Sequence, residues 1–241
     1  MYYILNPNIS LRDYRNAPNR LVIKNTKNPI IIPVDDFILL SLCDGQTDLE
    51  ENEIILNYKK RGAIKECKKG EFKLSPWQKM ECDNYLFPSA IIELTSVCNY
   101  NCKHCFNAVD NNPSRDQFSK EEIIKLLDQL SAAGVNAITL TGGEPMLHPD
   151  FFDIVNEIYK RNMFLEELNT NGYFLNKSAL AKLKLIRAKP FIKISFDGFI
   201  TYIIVTRWLR ISNKMYIFST MATKNPVDRF ANIRIEMHRI D

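Results

Sequence analysis

Three cysteines lie close together in this chain, at a spacing suited to binding an inorganic cluster. Cys98, Cys102 and Cys105 form the pattern C-x3-C-x2-C directly after the apolar stretch at 90–95. Thiolates are the usual protein ligands of iron–sulfur clusters, and three of them can hold a four-iron cluster at three of its corners. The fourth iron then has no protein ligand and is free to bind another molecule. The pattern therefore predicts a [4Fe–4S] site with one open position.

Structural zinc and reduced core thiols are the alternatives for these cysteines. A closed zinc site needs four ligands in a tetrahedral arrangement. Within this loop the available fourth ligand is His104, which is adjacent to Cys105 and so is poorly spaced for chelating the same ion. The ligand count therefore favours iron over zinc. The other cysteines are isolated and are expected to be packed or surface thiols: Cys43, Cys67 and Cys82.

A second motif is a double-glycine turn that ends in an acid. Gly142, Gly143, Glu144 and Pro145 follow a short buried-strand pattern at 137–140. Paired glycines allow positive φ and close approach of the backbone to a ligand, and a carboxylate beside them can bind an ammonium group. Taken alone, this tetrapeptide is most typical of an ordinary turn.

Together the two motifs, about one βα unit apart, resemble those of the radical S-adenosylmethionine (radical SAM) enzymes, over about residues 89–198. The resemblance implies that the three cysteines ligate a [4Fe–4S] cluster whose open iron chelates SAM. It also implies an external one-electron reductant and reductive cleavage of SAM to a 5′-deoxyadenosyl radical. The SAM-binding residues that it implies are Gly142, Gly143 and Glu144 for the amino group, with Pro145 shaping the turn, His104 near the adenine, Ser195 and Asp197 for the carboxylate and ribose, and Asn169 or Asn171 at the third strand end.

Composition and charge restrict the class of protein. The chain has 241 residues, 46% hydrophobic and 25% charged, with a formal net charge of +4. This composition is typical of one large or two small globular domains, and the charge is too small to indicate nucleic-acid binding. Neither an apolar run long enough to cross a membrane nor a secretory signal is present. Six cysteines in such a chain favour a reducing compartment, so we expect a cytoplasmic protein.

Hydrophobic periodicity predicts alternating strands and helices over residues 86–241. A capping box at Ser119 and Glu122 begins one helix, Pro149 begins the next, and a third is marked by Leu180, Leu183 and Ile186. Because parallel strands collect ligand groups at their carboxyl ends, each motif is expected at such an end. The prediction is an α/β fold, a partial (β/α)6 TIM-like barrel, with strands at 90–95, 137–140, 164–168 and 191–196.

The pattern changes after Gly198. Residues 207–223 show no clean amphipathic helix, and one strand-like stretch at 232–237 precedes Asp241. A further parallel strand requires a crossover of a dozen or more residues. We therefore expect a barrel that is truncated, or incomplete at its carboxyl terminus, with one unpaired edge.

Residues 1–85 are predicted to form a separate small α+β domain. Two apolar runs, at 21–24 and 30–33, flank a hairpin loop. Helices are expected after Asp35 or Asp36 and after a second capping box at 47–50, and 66–77 reads as a polar linker. This arrangement resembles the winged-helix, PqqD-like peptide-recognition domains of peptide-modifying enzymes, which implies that a leader peptide binds as an added strand. A generic packing domain is the alternative.

Two functions follow from these predictions. The first is a radical SAM peptide maturase, which abstracts hydrogen from a ribosomally made peptide carrying a leader. The second is a truncated, non-catalytic relative that binds a cluster or a leader peptide. The intact Cys98, Gly142–Pro145 and Ser195 motifs favour the first function, and the missing last strand favours the second.

Overall fold

The computed structural model describes residues 1–14, 17–82, 88–102, 105, 117–195 and 233–234. The chain divides into two compact units. The first unit comprises Met1–Ala90, Asp128–Ala137 and Arg161–Met163. The second comprises Ile91–Leu127, Ile138–Lys160 and Phe164–Asp241.

The first unit contains two sheets and two helices. One sheet has the strand order β5-β1-β6, and the other has the order β4-β3-β2-β7. Tyr3, Leu11, Leu40 and Ile55 are almost fully buried in the hydrophobic core of this unit. The elements are β1 (Tyr2–Leu5), β2 (Ile9–Tyr14), β3 (Arg20–Ile23), β4 (Ile30–Ile31), α1 (Val34–Ser41), β5 (Asp44–Asp48), α2 (Glu53–Lys60), β6 (Ile64–Cys67) and β7 (Lys79–Cys82).

The hairpin predicted in this unit is confirmed, since β3 and β4 pair in antiparallel register. The helix predicted after the hairpin is also present, but it begins after Pro33 and no side chain caps it. The two aspartates proposed as its cap, Asp35 and Asp36, instead lie in the first turn, where their negative charge complements the helix dipole. The winged-helix resemblance remains a prediction.

The prediction of a second capping box at 47–50 was wrong. The Asp44 carboxylate accepts hydrogen bonds from the backbone N–H groups of Gln46 and Thr47, at 2.7 and 2.8 Å. This local turn directs the following residues into β5 instead of a helix. The cap of α2 is Asn52, whose side chain accepts from the N–H of Ile55.

The second unit is built on a five-stranded sheet with the order β12-β11-β10-β9-β8. Strands β10 and β11 are parallel, whereas β11 and β12 are antiparallel. Within the described residues the sheet is therefore mixed and does not close into a barrel. The elements are β8 (Ser89–Glu93), α3 (Lys120–Ala132), β9 (Ala137–Thr141), α4 (Phe151–Lys160), β10 (Phe164–Thr170), α5 (Lys177–Leu185), β11 (Phe191–Ile194) and β12 (Ile233–Arg234).

Local sequence explains where these helices begin and which face they bury. The capping box of α3 is confirmed: Glu122 Oε2 accepts from the Ser119 N–H at 2.8 Å, and Ser119 Oγ accepts from the Glu122 N–H at 3.3 Å. Helix α4 buries an apolar face with a spacing of three to four residues. The residues of that face are Phe151, Ile154, Val155 and Ile158.

Within the part of the chain that the structure describes, no helix is both long and apolar enough to span a bilayer.

The Asn52 cap gives a stability test of the first unit. Asn52→Ala removes the acceptor of the Ile55 N–H, so we expect a loss of about 1 kcal/mol in the free energy of unfolding. Urea denaturation followed by far-UV circular dichroism measures this loss. Asn57→Ala, at an exposed position within the same helix, is the matched control and should change stability by less than about 0.5 kcal/mol. Equal stability of the two variants would show that the cap is not formed.

Candidate functional site

The three clustered cysteines lie in the loop that follows β8. All three are half-buried and none forms a disulfide. The Cys98 sulfur accepts a hydrogen bond from the Tyr100 N–H at 3.5 Å, and the Cys105 N–H donates to the Cys102 carbonyl at 3.0 Å. Among the described side chains, no three His, Cys, Asp or Glu converge as ligands of one metal ion. The structure thus places the three thiols in one loop without assembling a ligand shell.

The donor set fits an iron–sulfur cluster. Free thiols are soft ligands that suit such clusters. The Tyr100 N–H points at the Cys98 sulfur.

The double-glycine turn packs directly against the backbone that leads into the cysteine loop. The Gly143 N–H donates to the Thr95 carbonyl at 2.7 Å, and the Glu144 N–H donates to the Val97 carbonyl at 2.8 Å. Gly142 has φ +139, and a Cβ there would overlap the Thr95 carbonyl oxygen. A Cβ at Gly143 would lie 2.7 Å from the Val97 carbonyl carbon. Both glycines are therefore required by the approach of another backbone segment, in addition to any ligand.

Glu144 connects the end of β9 to the end of β10. Its side chain is fully buried. The Thr170 hydroxyl lies 2.8 and 2.9 Å from its two carboxylate oxygens, and the backbone N–H groups of Asn171 and Met146 donate at 2.7 and 3.1 Å. Burial raises the pKa of Glu144 above its ordinary value, and these hydrogen bonds act in the opposite direction. This network leaves little of the carboxylate's accepting capacity unused.

Asn171 reaches from the end of β10 to the cysteine loop. Its amide nitrogen donates to Asn99 Oδ1 at 2.8 Å and lies 3.8 Å from the Cys98 sulfur. The side-chain oxygen of Asn171, Oδ1, accepts a hydrogen bond from the Tyr173 N–H at 3.0 Å. Because the Asn171 backbone is bonded to Glu144, the glutamate also fixes the amide that lies beside Cys98.

The remaining predicted SAM contacts are spread over two strand ends. The exposed Ser195 lies at the end of β11, and its N–H donates to the Thr170 carbonyl at 3.0 Å. Asn169 precedes Thr170 on β10, and its Oδ1 is buried without a hydrogen-bond partner. Pro145 begins the short 3-10 helix Pro145–Leu147. The predictions for His104 and Asp197 fall outside the described residues.

Sequence reasoning missed four residues that the structure places in this region. Thr170 bonds both oxygens of Glu144, Asn99 accepts from Asn171, and the ring of Tyr173 meets that of Tyr100 edge-on at 6.1 Å. Asn99 and Tyr100 lie inside the cysteine motif, so their position was the available signal. Nothing in the sequence distinguished Thr170 and Tyr173.

Comparison with protein families finds one match to this region. Residues 92–210 match the family model described as the Radical SAM superfamily. This part of the chain is therefore similar to the radical SAM superfamily. The two cofactors predicted from the sequence, a [4Fe–4S] cluster and SAM, are those that members of this superfamily use.

Curated relatives resemble a limited part of the chain. A Bacillus subtilis protein named antilisterial bacteriocin subtilosin biosynthesis protein AlbA is 34% identical over 110 residues, 45% of this chain and 24% of that protein. A Bos taurus protein named molybdenum cofactor biosynthesis protein 1 is 39% identical over 94 residues, 38% of this chain and 14% of that protein. The chain thus spans well under half the length of these relatives.

A solved structure resembles the chain over a greater length. The Streptococcus suis protein SuiB bound to S-adenosylmethionine has a TM-score of 0.53 and 17% identity, covering 83% of this chain and 49% of SuiB. SuiB bound to its precursor peptide SuiA gives a TM-score of 0.51 with 15% identity over the same 83% of this chain. At 17% and 15% sequence identity, this likeness shows a similar fold and nothing further.

The buried carboxylate provides the test of this arrangement. Glu144→Ala removes the acceptor used by Thr170, Asn171 and Met146, and we expect it to cost at least about 2 kcal/mol because buried donors are left unsatisfied. Thermal or urea unfolding of the full chain measures the loss. Glu93→Ala, at an exposed position on β8, is the control and should change stability by less than about 0.5 kcal/mol. A tolerated Glu144→Ala would mean that the two strand ends are held together in another way.

Proposed function

We propose that this chain, whose residues 92–210 match the radical SAM superfamily, uses SAM and a [4Fe–4S] cluster to modify a ribosomally made peptide. Cys98, Cys102 and Cys105 would hold the cluster. The observation that supports this most directly is the Asn171 amide, which Glu144 fixes 3.8 Å from the Cys98 sulfur. It links the cysteine loop to the strand ends at which SAM-binding residues are expected.

The residues around Cys98 favour ligation. When bound, a reduced cluster supplies the electron for reductive cleavage of SAM, and this chemistry belongs to the cofactors. The protein's contribution is to orient the cofactors and to shield them from solvent. The Tyr100 N–H and the Asn171 amide both point donors at the Cys98 sulfur.

Asn169 is the residue we assign to a polar group of SAM. Its Oδ1 is buried and has no partner in the described part of the chain. A buried acceptor without a donor is unfavourable by about 1–3 kcal/mol, and an ammonium or hydroxyl donor from a bound ligand would remove that cost. Ser195 lies at the neighbouring strand end, where we assign it to the same ligand.

The cluster proposal predicts a difference between the cysteines. After anaerobic reconstitution the full chain should contain about four irons and four sulfides, as expected for thiolate ligation. Replacement of Cys98, Cys102 or Cys105 by Ala should abolish iron binding. Cys67→Ser should leave it unchanged, because Cys67 lies on β6 in the other unit. Iron and sulfide analysis with the visible absorption spectrum measures the result, and stable zinc content without iron uptake would contradict it.

A second candidate is a truncated, non-catalytic relative that binds a cluster or a leader peptide without turnover. It is favoured by the sheet of the second unit, which among the described residues is mixed and does not close into a barrel. The two functions differ in one product: the reduced, cluster-loaded protein with SAM either forms 5′-deoxyadenosine or does not. Formation of that product supports the enzyme, and cluster binding without it supports the second candidate.

A peptide substrate is supported by two of the similar proteins. AlbA is named for the biosynthesis of the bacteriocin subtilosin, and SuiB has been solved with its precursor peptide SuiA. Both of them are associated by name with peptides. We carry this association to the present chain as a proposal.

The edge of β4 is where we place the leader peptide. Strand β4 pairs with β3 on one side and ends the sheet on the other, and its two isoleucines, Ile30 and Ile31, are 48% and 63% exposed. The Ile32 N–H bonds to the Asn19 carbonyl. Because an antiparallel pair alternates inward and outward backbone groups, the N–H and C=O of Ile31 point away from β3. An added strand would bond to these groups.

This arrangement makes Ile31 the position for a test. Ile31→Pro removes an outward donor that the sheet itself does not use, so the protein should fold while binding of precursor peptides encoded beside its gene weakens at least about tenfold. Ile31→Ala, which keeps the N–H, is the matched control and should bind more tightly than the proline variant. Fluorescence anisotropy with labelled peptide measures affinity. Unchanged binding by a folded Ile31→Pro variant would exclude strand addition at this edge.

A further inference from the structure

Two arginines in the first unit are buried opposite one another. Arg12 on β2 and Arg20 on β3 are direct register partners, with 2% and 9% of their surface exposed. Nη1 of Arg12 and both Nε and Nη1 of Arg20 are buried without a hydrogen-bond partner. Among the described residues, neither guanidinium takes part in an ion pair.

This arrangement is electrostatically unfavourable by itself. Guanidinium groups stay charged at any physiological pH. Like charges directly opposite in an antiparallel pair repel one another, and buried charges are normally paired. The two guanidinium groups are both positive, and three of their nitrogens have no hydrogen-bond acceptor. They therefore require a counter-ion at this position.

Among the residues that the structure describes, the neighbouring polar groups do not supply that counter-ion. Arg12 Nε donates to Ser10 Oγ at 2.8 Å, and Ser10 Oγ donates to the Trp77 carbonyl at 2.5 Å. The Tyr14 hydroxyl lies 3.5 Å from the Gly134 carbonyl. Burial raises the pKa of Tyr14 even though both arginines act to lower it, so its phenol remains neutral.

A pocket lies next to this pair, within the same unit. It has a volume of about 400 Å³, and its lining includes Trp77, Met80 and Arg161 but no acidic side chain. Met80 is the register partner of Arg12 across β2 and β7. The Arg12 guanidinium lies 6.0 Å from the centre of the Trp77 ring, and the Lys24 ammonium lies 6.0 Å from the same ring. Two side chains of the pocket lining, Trp77 and Met80, are thus neighbours of Arg12, while Arg161 in that lining is paired with Asp128.

We propose that Arg12 and Arg20 bind the oxyanion group, carboxylate or phosphate, of a small ligand that occupies this pocket. Arginine is suited to both groups because its planar donors match their oxygens. Trp77 offers an aromatic face to the rest of the ligand. This site consists of residues of the first unit and is distinct from the cysteine loop and the Glu144 network of the second.

Stability of the full chain in different anions tests this proposal. Sodium phosphate and sodium glutamate are compared with sodium chloride at equal ionic strength and pH. A specific site should raise the melting temperature by about 3–6 °C at saturation, and isothermal titration calorimetry should give a stoichiometry of one. A response to phosphate alone identifies a phosphate ligand, whereas a response to glutamate identifies a carboxylate ligand.

Variants of Arg20 separate an anion site from a purely structural arginine. Arg20→Met removes the repulsion and two of the three orphaned nitrogens, so we expect it to melt at or above the wild-type temperature in chloride and to lose the anion response. Arg20→Lys keeps the charge but loses the planar donor array, and should weaken anion affinity at least about tenfold. Lys79→Met, at an exposed position on β7, is the control and should respond to the anions like the wild type.

Two results would overturn the proposal. One is that neither phosphate nor glutamate stabilises the wild-type chain beyond chloride. The other is that the stabilisation persists unchanged in both Arg20 variants, which would place anion binding elsewhere.

Discussion

The carboxylate of Glu144 is a fully buried charge that accepts hydrogen bonds from three residues on two segments. Burying a carboxylate is unfavourable unless its oxygens are bonded, so the glutamate holds Thr170 and Asn171 in place as much as they stabilise it. The end of β10 is thereby fixed against the turn that follows β9. The position of the Asn171 amide beside Cys98 is a consequence of this arrangement.

The double-glycine turn extends the same constraint to the cysteine loop. Hydrogen bonds from Gly143 and Glu144 continue the pairing of β9 with the segment after β8, through Thr95 and Val97. The two backbones approach so closely that any side chain at Gly142 or Gly143 would collide with a carbonyl group. Because both glycines are used in this packing, substitutions there would disturb the path of the chain into Cys98 before they affected any ligand.

The two units contain contrasting buried charges. Glu144 accepts hydrogen bonds from donors of its own unit. Because these bonds satisfy its carboxylate, its role is to hold the structure together. Arg12 and Arg20 are equally buried but retain unpartnered nitrogens, and an electrostatic deficit of this kind is what a bound anion would correct. The exposed backbone edge of β4 is a comparable deficit in hydrogen bonding, since no strand within the described ranges pairs with its outward groups. Unsatisfied groups of the first unit therefore indicate where it can bind other molecules.

Features that depend on neighbours along the chain could be predicted from the sequence. The Ser119–Glu122 capping box, the apolar face of α4 and the β3–β4 hairpin all formed as expected, because covalent spacing alone determines them. The cysteine run and the Gly142–Pro145 turn were visible for the same reason. The capping box at 47–50 failed because the Asp44 side chain bonds the local backbone first.

What the sequence left open was decided by contacts between distant segments. Strand alternation cannot separate Asn169 from Asn171, because residues two apart share one face of a strand. The structure shows that Asn171, just past the end of β10, is the one that contacts Asn99 and Cys98. Likewise, Arg12 meets Arg20 only because packing of Leu11 and Leu21 in the core sets the β2–β3 register. Covalent spacing thus determined which residues can do chemistry, and strand register, set by burial of the opposite faces, decided which of them meet.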